Sequence, residues 1–138
     1  MINLKDVTFM IPFKYDSPER LRNLRIVIKY IKKYFDTNII VCEGDTERKF
    51  TDEGDFKYIF VNTGTHLLLR TKSLNIMAKE AKTPIIVNYD ADVILSVPQY
   101  IIATEAIKQN LLDLCTAFSS VTYDVKKEHH KKIEEERN

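Results

Sequence analysis

The first apolar run, Val7 to Phe13 (VTFMIPF), is short, β-branched and free of polar alternation. Pro12 closes it, so it predicts a buried strand running into a loop. A helix is expected next, with Ser17 as cap, Pro18 in its first position and Glu19 at its positive end. Leu21, Leu24, Ile28, Ile31 and Phe35 recur at helical spacing, and Arg20, Arg22, Lys29, Lys32 and Lys33 take other faces. Asn38 to Cys42 predicts a second strand, ending in the polar turn Glu43-Gly44-Asp45-Thr46. Residues 47 to 55 read as a charged loop, and Phe56 to Val61 as a third strand. Asn62, Thr63 and Gly64 break that strand. Thr65 is expected to open a second helix, with Leu67, Leu74, Met77, Ala78 and Ala81 toward the core.

Thr83-Pro84 ends that helix, and Ile85 to Tyr89 predicts a fourth strand running into Asp90-Ala91-Asp92. Pro98 starts a third helix, and Leu111 to Tyr123 is expected to hold at least one further strand. From Lys126 the chain reads KKEHHKKIEEERN, in which nine of 13 residues are charged. With Ile133 as its one aliphatic residue it cannot build a core, so a frayed helix or tail is expected. The organisation is thus one domain over residues 1–125 and a charged segment over 126–138.

Strands that alternate with helices, and that are apolar on both faces, predict an α/β fold with a mainly parallel sheet. Right-handed crossovers then gather the strand C-termini on one rim, where open α/β sheets bind ligands. Three polar clusters fall on that rim: Lys14-Tyr15-Asp16, Glu43-Gly44-Asp45 and Asp90-Ala91-Asp92.

Composition narrows the picture. The 138 residues are 44% hydrophobic and 30% charged, enough for one ordinary core. Lys plus Arg total 21 against 20 Asp plus Glu, a net charge of +1, which gives no global attraction to nucleic acid or acidic membranes. Cys42 and Cys115 lie far apart in apolar runs and read as buried free thiols. No stretch of about 18 apolar residues exists to cross a bilayer. The N-terminus lacks a signal-peptide layout, so a cytoplasmic protein is expected.

Asp90 and Asp92 would concentrate negative charge at a strand end, a cost that a divalent cation removes. Mg²⁺ or Mn²⁺ suits such oxygen donors and leaves positions for phosphate. A solvated turn is the plainer alternative. Glu43 and Asp45 can accept hydrogen bonds from a base or from ribose hydroxyls, or simply form a turn. Arg70 and Lys72, near the start of the second helix, can meet a diphosphate or pair with acids across the rim. Tyr15 can stack on a planar base or pack on the surface. His66 is expected to cap or pack, and His129 and His130 are poorly placed for one metal centre.

Together these residues resemble the N-terminal half of a family-2-type glycosyltransferase with the GT-A fold. The resemblance spans residues 6 to 123. Val7-Thr8-Phe9-Met10-Ile11-Pro12-Phe13 resembles the family's opening strand, and Ile39 to Glu47 (IIVCEGDTE) its strand-and-acid segment. Ser73-Leu74-Asn75, Ala81 and Pro84 to Asp92 (PIIVNYDAD) resemble its Asn-to-Asp-x-Asp block, and Pro98 also fits. The resemblance implies a Rossmann-like, open, mainly parallel sheet flanked by helices. It also implies transfer of a sugar from a nucleotide donor, commonly UDP-linked and with inversion, to a glycan, lipid or protein acceptor. Carried over by position, Pro12, Phe13 and Tyr15 shape the base pocket, Glu43 binds the base and Asp45 supports that loop. Asn75, in the Asn-to-Asp-x-Asp block, is placed among the nucleotide-sugar-binding residues, Asp90 contacts ribose or donor sugar, and Asp92, with Asp90, holds the Mn²⁺ or Mg²⁺ that bridges the diphosphate.

The chain departs from that pattern in three places. Leu74 stands where the family has Arg, which leaves Arg70 or Lys72 to supply positive charge. Gly44 displaces the second acid of the base segment. The resemblance stops before the acceptor half, which the sequence is expected to lack, so no general base is named. A donor-binding or assembly domain without transfer is therefore one alternative, and self-association through an exposed sheet edge or apolar face is expected. The run IIVNYDADV also resembles the nucleophile strand of a haloacid-dehalogenase-type phosphohydrolase, with Asp90 attacking phosphate and Asp92 as acid/base.

Overall fold

A computed structural model describes residues 1–118 and 121–135. It forms two compact units, Met1–Ile94 and a second from Leu95 onward. The first unit is α/β. Its elements are β1 (Ile2–Phe13), α1 (Pro18–Tyr34), β2 (Phe35–Asp45), β3 (Lys57–Asn62), α2 (Arg70–Glu80) and β4 (Ile85–Asn88). The four strands form one sheet in the order β3-β2-β1-β4, and every pairing is parallel.

Chain order reverses beside β1: β2 and β3 lie to one side, and β4 returns to the other. With right-handed crossovers, α1 and α2 cover opposite faces. Met10, Ile40 and Cys42 pack with Met77 of α2, backed by Ile59, Val61, Leu74 and Ala81. The alternate positions Phe9, Ile11, Phe13, Ile39 and Val41 point the other way, and they are buried too. Burial on both faces explains why Val7–Phe13 carries no polar alternation.

Ser17 caps α1 by accepting the Arg20 N–H at 3.2 Å, with Pro18 in the first turn. The helix buries Leu24, Val27 and Ile31 and passes into β2 without a loop. β1 is longer than its apolar run because Ile2–Leu4 pairs with Phe35–Thr37 before the register shifts. The shift leaves spare carbonyls, which side chains satisfy: Thr37 donates to Val7 O at 2.9 Å and Asn38 to Lys5 O at 2.8 Å.

Several expectations are corrected. Glu43-Gly44-Asp45, expected in a turn, continues β2, where its backbone pairs with β3. The second helix begins at Arg70, not at Thr65. The Thr65 hydroxyl accepts the Leu67 N–H at 3.2 Å and spends itself on a local turn, after Gly64 at φ 65°. Leu67 is therefore exposed, as is Ala78, and the core face of α2 is Ser73 and Met77. No strand occurs among the described residues of Leu111 to Tyr123; residues 119 and 120 lie outside them. Leu111 and Leu112 both donate N–H to Ala106 O at the end of the preceding helix, and Leu114 is 84% exposed. Apolar composition cannot make a strand without a neighbour for its backbone groups.

The second unit contains α3 (Val97–Lys108) and α4 (Lys127–Glu135). The Ser96 N–H and hydroxyl both reach Gln99 Oε1, at 3.0 and 2.8 Å, and start α3. α4 takes up the charged segment and buries no residue, and 136–138 lie outside the described residues. Both cysteines are free thiols; Cys42 is buried, whereas Cys115 is only half-buried. Among the described residues no helix is long and apolar enough to cross a membrane.

Candidate functional site

Parallel strands bring the ends of β1, β2 and β4 to one rim, where the chain order reverses. From β1 come Pro12 and Phe13, both buried, then Lys14 and the half-buried Tyr15. Phe13 packs edge-on against Phe50, with ring centres 5.7 Å apart.

Glu43 and Asp45 alternate with Gly44 on β2, and both are fully buried. The Glu43 carboxylate is turned beneath the loop that joins β2 to β3. Its Oε1 accepts the Lys49 N–H at 3.1 Å, and its Oε2 accepts the Phe50 N–H at 3.1 Å and the Tyr58 hydroxyl at 2.5 Å. Phe50 stacks in turn with Phe56 and Tyr58. Glu43 thus anchors this loop, and its acceptor capacity is taken up inside the protein. Burial, followed by the hydrogen bond to Glu43 and then the charge of Glu43, pushes the Tyr58 hydroxyl above its ordinary pKa.

Asp45 gathers donors from three segments. Oδ1 accepts the Thr46 N–H at 2.7 Å and faces His66 Nδ1 at 3.1 Å. Oδ2 lies 3.3 Å from Lys49 Nζ and 3.8 Å from Lys14 Nζ. The Thr46 N–H, then His66, Lys49 and Lys14, hold this carboxyl well below the usual range against the opposing effect of burial. A Cβ at Gly44 would crowd Thr63 Cγ2 at 3.3 Å, while Ser73 Oγ of α2, at 3.5 Å, would be in ordinary contact.

The β4 side carries the remaining charges. Arg70, the first residue of α2, places Nη1 2.6 Å from Asp90 Oδ1 and donates from Nη2 to Asn88 Oδ1 at 2.8 Å. Of the two roles open to Arg70, pairing with an acid across the rim is the one adopted here. Lys72, Asn75 and Asp92 are exposed. The first turn of α2 has no acid and no side-chain cap.

Asp90 and Asp92 offer the hard oxygen donors that Mg²⁺ or Mn²⁺ prefers, but Arg70 is the counter-ion of Asp90 in this conformation. Among the described residues no group of three or more His, Cys, Asp or Glu converges to hold a metal ion. Two carboxylate residues, one of them paired with a guanidinium, are the oxygen donors this end of β4 offers.

The sequence left Lys49, Tyr58 and Asn88 unremarked. Lys49 lies in the charged loop after β2, where sequence spacing does not say which acid a lysine meets; Tyr58 and Asn88 carry no signal beyond strand alternation. A cavity of about 480 Å³ opens at the opposite end of the sheet, lined by residues such as Thr8, Thr37, Lys57 and Thr83. Its polar groups are satisfied among themselves: Lys32 pairs with Asp55, Lys57 with Glu80, and Thr8 with Thr83. The charged rim is the richer site chemically, with Glu43 and Asp45 buried and Lys72 and Asp92 exposed. Comparison of the chain with protein-family models, with curated proteins and with solved structures finds no match.

Proposed function

We propose that this rim binds the nucleoside diphosphate of a sugar donor, of the UDP-sugar class, for cation-assisted glycosyl transfer to a glycan, lipid or protein hydroxyl. The observation that supports it is the presence of two groups of cationic and acidic side chains at the strand ends that flank the point where strand order reverses. Lys14 and Asp45 come from the β1–β2 side, and Arg70, Asp90 and Asp92 from the α2–β4 side. Arg70 and Lys72 offer charge-assisted donors to phosphate. Tyr15 offers a ring to a base, and Glu43 serves indirectly by holding the 46–56 loop under the base side. A bound Mg²⁺ or Mn²⁺ would neutralise charge building on the departing diphosphate. Asp92 is its exposed ligand in this proposal, and Asp90 the second once Arg70 lets go.

Thermal unfolding tests the proposal. UDP with Mn²⁺ at 100 times Kd stabilises by about 2.7 kcal/mol, and Asp92→Ala removes most of that gain. No shift with any nucleoside diphosphate at millimolar concentration would overturn the reading. Donor binding without sugar transfer or donor hydrolysis would instead make this a binding or assembly domain. A phosphoenzyme on Asp90, trapped with a fluoride analogue of phosphate, would replace the proposal with phosphohydrolase chemistry.

A further inference from the structure

We infer that the free edge of β3 is a dimerisation surface, on which a second copy of this chain pairs its own β3 antiparallel about a two-fold axis at Phe60.

β3 is the last strand on its side of the sheet, and among the described residues no further strand continues the sheet beyond it. Parallel pairing divides its backbone groups by alternation. The Thr63 N–H donates to Asp45 O at 3.0 Å, so Ile59 and Val61, in step with it, turn their N–H and C=O groups toward β2. Tyr58, Phe60 and Asn62 then turn theirs outward. The usual guards of an edge strand are missing. The register with β2 runs from Lys57 to Asn62 without a shift, and Tyr58-Ile59-Phe60-Val61 holds no charge, proline or glycine. All four are strong strand formers. The opposite edge, β4, has only four residues and follows Pro84.

A second copy fits this edge by symmetry, because the outward residues are centred on Phe60. A two-fold axis there places Phe60 opposite its own counterpart and Tyr58 opposite Asn62. Each facing pair exchanges two N–H···O bonds, so every outward group of the three residues is met. Aromatic rings face each other at the centre, a favourable cross-strand pair. Like charges stay apart, since Lys57 falls opposite Thr63. A copy that offered β4 instead would meet β3 over Ile86 and Asn88 alone, and pairing of that head-to-tail kind need not close. One edge of six residues is a small interface, so the dimer belongs to the weak, transient class.

Amide hydrogen exchange of the wild-type chain, read by nuclear magnetic resonance at rising protein concentration, tests the edge, with sedimentation reporting the dimer. Once free chain reaches about ten times Kd, the Tyr58, Phe60 and Asn62 amides should exchange about ten-fold more slowly than in dilute solution. The Ile59 and Val61 amides, already bonded to β2, should hardly change. A chain that stays monomeric at about 1 mM, or a dimer that leaves those three amides unprotected, overturns the inference. Phe60→Lys and Phe60→Glu should each be monomeric, because each sets like charges across the axis, and an equimolar mixture of the two should regain the dimer. Two folded variants that fail to associate when mixed also overturn it. If either variant is unfolded by far-ultraviolet dichroism, the wild-type exchange pattern alone decides.

Discussion

The Tyr58 hydroxyl donates to Glu43 Oε2 at 2.5 Å beneath a loop whose own backbone binds the same carboxylate. The contact follows from parallel register. Tyr58 of β3 stands beside Val41, and Glu43 lies two residues further along β2 on the same face. One buried acid thereby ties strand, loop and aromatic cluster together.

Tyr58→Phe should cost about 1.5–3 kcal/mol in urea unfolding, the range for a hydrogen bond to a charged group. The same pair gives an alkaline signature. The folded hydroxyl titrates above its unfolded value of about 10, so its contribution is complete below that pH and declines as pH rises beyond it. Wild-type stability should fall more steeply above about pH 10 than that of Tyr58→Phe.

Asp45 acts at the other end of the scale. Its carboxyl titrates below the unfolded value in the folded chain, so its contribution is present above about pH 4 and is lost as pH falls further. Asp45→Asn should be less stable than wild type at neutral pH, and the gap should narrow between about pH 4 and 2. Melting temperatures across that range check this.

Met77 carries the packing of α2 on the sheet, with no exposed surface, against Met10, Ile40 and Cys42. Met77→Ala should lose about 2–5 kcal/mol through the cavity it leaves. Equilibrium denaturation measures the loss, and an unchanged far-ultraviolet dichroism spectrum would show that the fold persists.

The Ser17 hydroxyl is the side-chain cap of α1. Ser17→Ala should cost about 0.5–2 kcal/mol, and Ser17→Asp should restore most of it. The same denaturation experiment reads both.

The alternation of strands and helices was legible because each signal is local. Ser17-Pro18, the unbroken apolar run of β1 and the Thr83-Pro84 stop act over a few residues, and the elements form where those signals stand. Thr65 misled for the same reason: a hydroxyl that can cap a helix can equally close a turn, and the Leu67 N–H chose the turn. Leu111 to Tyr123 forms no strand among its described residues because apolar composition is local, whereas pairing depends on a neighbour far away in sequence.

At the rim, the sequence by itself determined which charges collect there: acids and bases follow strand ends, and parallel strands share one rim. Only the tertiary structure decided who partners whom. Glu43 faces inward because its place on β2 points it at Phe50 and Tyr58, and Asp45 draws in Lys14, Lys49 and His66 from three separate segments. Arg70 reaches Asp90 because α2 returns the chain to the far side of β1. Strand periodicity sets which face a side chain takes, but the approach of two charges within 3 Å depends on crossovers that no local pattern encodes.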